Sequence, residues 1–305
     1  DHRDLHRLIR RQRQMCIRDS KLIKTSRYQL DTITAKQLSI IFEPLETGLA
    51  SGKSNMARLR EETRIYNDCI DEGNFGLQRI SLSTKSGLGK KWQEPGAEID
   101  IPNKYIFSSD IEEGKEVYFF SKPFEMPWKV SEIIFLTTKQ YCFINAPEEI
   151  GDEILGLRLG NVKLDNCSIN DVKVCFGSVL DCDIIVRGQC FGGFSDCESE
   201  YDYGFVEKQG KGLFYSGSLI YAAIFSSPDI YECNVKRLMK RLVRQALIFK
   251  DEADFLSVKC GTLPLSGLLQ LVSVAKIKKS SDLLLVRQVA REVEEQNQAS
   301  QCKLW

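Results

Sequence analysis

The sequence predicts a mainly β fold with flanking helices, organised around an antiparallel β-sandwich or jelly-roll-like core. Three observations carry that prediction. Between Leu77 and Tyr231, alternating or continuous apolar runs of strand length recur. Turn residues separate them, and no amphipathic helical period interrupts them to supply the crossovers that a parallel sheet needs. In chain order the predicted strands are Leu77–Thr84, Glu116–Ser121, Lys129–Thr138, Gln140–Asn145, Leu155–Leu164, Val172–Phe176, Val179–Val186 and Ser218–Phe225. The breaks between them fall at Glu94–Gly96, Asn145–Pro147, Asp165–Asn166, Gly192–Gly193, Gln209–Gly212 and Ser226–Asp229.

Residues 21–74 read as a mixed lead-in. Leu38–Phe42 is a short apolar run of strand type. Ser54 stands where a helix N-cap would, ahead of MARLREETRIYNDCI, and Gly73 is placed to close that helix. The β core is read over 75–262 and includes a basic amphipathic helix at 235–250. Val235, Leu238, Leu242, Ala246 and Phe249 form its apolar stripe; Lys236, Arg237, Lys240, Arg241 and Arg244 fill the other side. Phe255–Lys259 and Leu268–Ile277 are read as returning strands. Residues 263–305 form a strand and helical tail, with Ser281 or Asp282 capping a helix that carries Leu283, Val286, Ala290 and Val293 in a row.

Residues 1–20 stand apart. The run from Arg10 to Ser20, RRQRQMCIRDS, resembles a translated sequencing adapter, and the alternative is a basic arm that binds nucleic acid. The chain has 42 basic and 42 acidic residues; without the six arginines and three aspartates of this segment, 36 face 39. The body is therefore mildly acidic, and any polyanion binding must come from a local patch. His2 and His6 are the only histidines, so the body has none to serve as a base in Ser–His–Asp or Cys–His chemistry. The eleven cysteines contain no C-x₂₋₄-C pair of the kind that aims two thiolates at zinc. They are read as reduced, small core hydrophobes, including the evenly spaced Cys175, Cys182, Cys190 and Cys197. No cofactor or metal is expected.

Gly48–Ser54, GLASGKS, approaches a phosphate-binding loop through Gly52, Lys53 and Ser54 but is one residue short of G-x-x-x-x-G-K-[ST]. A flexible Gly/Ser loop is the simpler reading. Asp181 and Asp183 flank Cys182 and would share a strand face able to hold a cation, or simply a solvated face. The basic helix is the strongest functional signal. Five cations within nine residues suit phosphate neutralisation, an anionic membrane surface, or an ordinary surface helix.

The β body followed by a basic helix resembles the thirty-kilodalton superfamily of plant-virus movement proteins. The matching positions are Gly160 in LRLGNVKL, Leu180 and Asp181 in SVLDCDII, and Pro228 in IYAAIFSSPDI. The resemblance implies non-catalytic, cooperative binding of single-stranded RNA or ribonucleoprotein, self-association, and a place in host cytoplasm or at plasmodesmata. The alternatives are a viral matrix or nucleocapsid-associated protein with peripheral membrane contact, and a nucleotide-binding protein using the degenerate loop.

Overall fold

The computed structural model describes residues 25, 28–29, 31–33, 54–86, 91–177, 181–189, 199–260 and 263–305. Helix and strand occur in nearly equal measure, in two separate open sheets rather than a jelly roll.

The first sheet contains β1 (Ser54–Ile70), β2 (Leu77–Ser86), β3 (Lys91–Trp92), β4 (Ile99–Pro102), β5 (Ile106–Phe107), β6 (Ile111–Glu125) and β7 (Lys129–Thr137). Its order is β3-β2-β1-β6-β7-β5, with β4 also on β2; only the β5–β7 pair is parallel. Alternation explains why its central strands are legible. On β6, Tyr118 and Phe120 face one apolar cluster, while Val117 and Phe119 face another. On β7, Ile133 and Phe135 oppose Ile134 and Leu136 in the same way.

The second sheet contains β8 (Tyr141–Ile144), β9 (Val162–Leu164), β10 (Val172–Phe176), β11 (Ile184–Gly188), β12 (Tyr203–Lys208) and β13 (Lys211–Ser216), in the order β13-β12-β11-β10-β8-β9. The strands β9, β8, β10 and β11 are mutually parallel, and β12 and β13 close the edge as an antiparallel hairpin. This overturns the predicted antiparallel core. The crossover that makes parallel pairing possible is α1 (Glu148–Gly156), which joins β8 to β9. It occupies the start of the run predicted as a strand from Leu155. Pro147 followed by Glu148 and Glu149 is a helix-start signal that the strand reading passed over.

Three further helices replace predicted strands or extend predicted helices. The run Leu219–Phe225, read as a strand, is α2, and all seven of its residues are buried. Phe225 packs on Phe120, Phe135, Tyr141 and Phe143, so α2 lies where the two sheets meet. A segment buried on every side has no period, so the sequence cannot tell helix from strand. The basic helix belongs to α3 (Pro228–Cys260), which absorbs the strand predicted at Phe255–Lys259. Leu268–Ile277 is largely α4 (Leu265–Val274). The final helix is α5 (Leu283–Ala299), with its predicted row turned inward at Leu283, Val286, Ala290 and Val293. Among the described residues, no helix is long and apolar enough to cross a membrane.

The helix predicted from Ser54 is instead β1. Thr63, Ile65 and Asn67 are buried in alternation, and β2 and β6 pair with it on either side. Tertiary pairing overrides the helical propensity of MARLREE. The strand predicted at Leu38–Phe42 lies outside the described residues.

The cysteines are corrected too. Cys69–Cys233, Cys142–Cys167, Cys175–Cys182 and Cys260–Cys302 are disulfide-bonded. Cys16, Cys190 and Cys197 lie outside the described residues.

Candidate anion-binding cleft

The cations of α3 do not form an open face. Arg237 is fully buried. Its Nε donates to the Phe75 carbonyl at 3.0 Å, and its Nη1 to Gln78 Oε1 at 3.1 Å and Asn234 Oδ1 at 2.7 Å. The guanidinium also lies 4.9 Å from the Tyr105 ring centroid. Burial pushes its pKa down to about 10, which still leaves it charged at neutral pH. Lys240 pairs with Asp71 at 2.7 Å and donates to the Asp71 and Gly73 carbonyls. Arg244 donates to Asn74 Oδ1 at 3.3 Å. Arg241 is half-buried in a separate recess with Asn103, Lys129, Glu132 and Gln245. Lys236 is half-buried one turn after Glu232, which accepts from Ser280. Arg237, Lys240 and Arg244 therefore clamp α3 onto the β1–β2 turn.

The positions that carried the movement-protein resemblance sit on three separate elements. Gly160 lies between α1 and β9, where a Cβ would sit 3.8 Å from the Tyr118 ring. Asp181 is an exposed turn residue paired with Lys173 at 3.4 Å, not part of an apolar strand. Asp183 accepts from the Lys173 amide, so the two aspartates do not form the expected strand-face pair. Pro228 is the first residue of α3. Leu180 lies outside the described residues, as do Gly52 and Lys53 of the short glycine loop. Ser54 opens a strand and donates to the Leu157 carbonyl, so the helix start that a phosphate loop needs is absent there.

The structure instead assembles a cleft that sequence reasoning missed. Arg58 of β1 is opposite Glu116 of β6, and Thr63 is opposite Gly114. Four residues of β1, 59–62, thus face the single residue Lys115 on β6. This irregularity opens a cleft of about 560 Å³ lined by Arg58, Leu59, Arg60, Lys115, Tyr118 and Gln140, with Gly114, Glu116 and Thr138. Leu59 anchors the bulge against the apolar cluster beneath.

The charges in this cleft are unequal. Arg58 donates to Glu116 Oε1 through Nε at 3.2 Å and Nη2 at 2.6 Å, and the Tyr118 hydroxyl donates to Glu116 Oε2 at 2.9 Å. Tyr118 and Arg58 together hold Glu116 below the usual carboxylate range. Of the nearby carboxylates, Glu62 pairs with Lys85 at 3.0 Å and Glu113 with Arg64 at 2.8 Å, while Glu61, exposed beside Arg60 on the bulge, makes no ion pair among the described residues. Arg60 and Lys115 are exposed and have no carboxylate partner among the described residues. Two cations without an ion pair, beside the Gln140 carboxamide, suit a ligand carrying an oxyanion; the Tyr118 and Thr138 hydroxyls already donate to Glu116 and Glu112.

Two other ionic groups, one buried and one half-buried, are structural. Glu112 is fully buried and accepts from the Ser109 amide at 3.1 Å, the Thr138 amide at 2.8 Å and the Thr138 hydroxyl at 2.7 Å. Lys208 caps the end of α2, donating to the Ile224 and Ser226 carbonyls at 2.6 and 2.9 Å. Burial, followed by the charge of Lys139, lowers the Lys208 pKa from 10.5 to about 8. Between about pH 8 and 10.5 the unfolded chain therefore binds a proton that the folded chain has released, and stability rises with pH. Urea midpoints for the wild type and Lys208→Met across that window should diverge, with the wild type gaining. A difference that stays flat with pH would remove Lys208 as the titrating group.

Among the described residues, no group of three His, Cys, Asp or Glu is arranged to hold a metal ion. No family model, curated protein or solved structure matches the chain.

Proposed function

We propose that the chain is a non-catalytic binding protein of an oxidising compartment, holding a phosphate or sulfate ester in the β1–β6 cleft. The observation that carries the ligand class is the pair Arg60 and Lys115, which make no ion pair among the described residues and line a cleft of about 560 Å³. The four disulfides among the described residues favour an oxidising compartment over the expected host cytoplasm, because cytosolic thiols are kept reduced. The cleft's ionisable side chains are cations, a phenol and one carboxylate already engaged, a set suited to holding an anion rather than transforming it.

The RNA-binding expectation loses two of its supports. The jelly-roll core is replaced by two open sheets, and Arg237, Lys240 and Arg244 are spent on the chain's own acceptors. RNA therefore enters the test as one probe among several.

The test is calorimetric titration of the full chain with inorganic sulfate, pyrophosphate and a single-stranded RNA oligomer. Pyrophosphate or sulfate should bind, with affinity falling at least about tenfold in the Arg60→Gln/Lys115→Gln variant, as expected for the loss of charge-assisted hydrogen bonds. The control Lys276→Gln/Lys278→Gln, outside the cleft, should bind as the wild type does. Absence of heat with every probe would end the reading. Binding of RNA alone, lost in the cleft variant and steeply salt-dependent, would replace the small oxyanion by nucleic acid.

A further inference from the structure

The turn joining β9 to β10 contains the one Asn-x-Ser/Thr triplet in the 305 residues, Asn166-Cys167-Ser168. This triplet is the acceptor pattern for asparagine-linked glycans, and it requires a surface position. Asn166 meets that requirement. It is exposed, its φ is 48°, and its carboxamide makes no hydrogen bond among the described residues. Ser168, whose hydroxyl the pattern also requires, is exposed as well.

The turn itself is firmly held. Cys167 is bonded to Cys142 of β8, the Asp165 amide donates to the Phe143 carbonyl at 2.9 Å, and the Ser168 amide donates to Asp171 at 2.5 Å. Lys163 closes the far side through Asp171 at 2.7 Å. Asn166 thus stands out from a rigid base with a free side chain. The same turn carries Ile169 at 94% exposure, above every other large apolar side chain described. A nearly naked isoleucine three residues from a free asparagine is explained if something else covers that surface.

We propose that Asn166 is an N-glycosylation site, modified with an oligosaccharide from a lipid-linked pyrophosphate donor. The bond from Asn166 Nδ2 to the first sugar's C1 forms as the C1–O bond to the lipid pyrophosphate breaks. The pyrophosphate leaves with the bonding electron pair, and one amide proton passes to base. No oxidation or reduction takes place. Because such transfer belongs to the secretory lumen, the proposal rests on the oxidising-compartment half of the function proposed above. It is independent of the anion cleft.

The test is secretion of the full chain through a eukaryotic secretory pathway, with two readouts on the same product. Peptide mass mapping without reduction reports the disulfides. Treatment with a glycan-releasing amidase in heavy-oxygen water reports glycosylation, as Asn166→Asp conversion carrying the label. The expected product has Cys142–Cys167 closed and Asn166 labelled in most chains. Labelling should be lost in Ser168→Ala and kept in Ser168→Thr, which preserves the hydroxyl. Closed disulfides with Asn166 unlabelled would overturn the proposal and leave the compartment reading intact. Reduced cysteines in the secreted chain would overturn the compartment reading, and this proposal with it.

Discussion

Replacing Arg237 by Ala is expected to lower the stability of the fold by about 3–5 kcal/mol, the range for removing one partner from a buried ionic hydrogen-bond network. Three acceptors lose their donor at once: the Phe75 carbonyl, Gln78 Oε1 and Asn234 Oδ1. Each buried acceptor left without a partner costs about 1–3 kcal/mol, and the vacated volume adds a cavity. The site has little room to relax. Gly76 has φ +60°, and a Cβ there would lie 2.9 Å from Arg237 Cδ and Nε and 2.2 Å from the Ile70 carbonyl oxygen. The turn is thus shaped around the arginine. Arg244→Ala, one hydrogen bond at an exposed position, should cost no more than about 0.5 kcal/mol. Urea unfolding of the two variants separates the structural role from the RNA-binding role expected from sequence. A structural Arg237 shifts the midpoint with the slope unchanged. An Arg237 serving nucleic acid would leave the midpoint in place and weaken RNA binding.

That contrast shows what the sequence could carry. The helix at 235–250 was legible because apolar and basic residues segregate with its period. The destination of its basic side was not. Its partners are largely neutral acceptors around 71–78, some 160 residues away, and a backbone carbonyl leaves no mark in the sequence. Strands such as β2, β7 and β10 were legible from β-branched and alternating residues. Leu219–Phe225 was not, because burial on all sides erases the period. β1 was misread because Arg58, Glu61, Glu62 and Arg64 imitate the charged face of a helix, when they lie within or beside its bulge. The cleft was hidden for the same reason. Arg60 and Lys115 meet only through the β1–β6 register, and that register depends on the bulge. One part of the failure of the antiparallel prediction has a clear origin, although the parallel β8–β10 and β10–β11 pairs do not pass through it. Passing over the helix Glu148–Gly156 removes the crossover, and without a crossover a parallel β8–β9 pair cannot be inferred.

Opening the Cys69–Cys233 bond is expected to have an effect comparable to the Arg237 substitution. The bond joins the end of β1 to the second turn of α3 across 164 residues. On the chain-entropy account, closing a loop of that length restricts the unfolded chain by about 5 kcal/mol, against about 2.5 kcal/mol for a loop the size of Cys175–Cys182. The Cys69→Ala/Cys233→Ala variant should therefore lose more stability than Cys175→Ala/Cys182→Ala, with urea unfolding of both as the measurement. Position adds a second expectation. Cys233 lies one turn before Arg237 on α3, and Cys69 precedes the turn whose Phe75 carbonyl Arg237 grips. Both devices hold the same corner, so their losses should not add. Once the disulfide is gone, Arg237→Ala should cost less than it does in the intact chain, because the corner it pins is already free to open. Strict additivity would mean that the two hold separate parts of the fold. If a reducing agent leaves the urea midpoint of the wild-type chain unchanged, the cysteines contribute as buried apolar side chains alone, and the argument for an oxidising compartment fails with them.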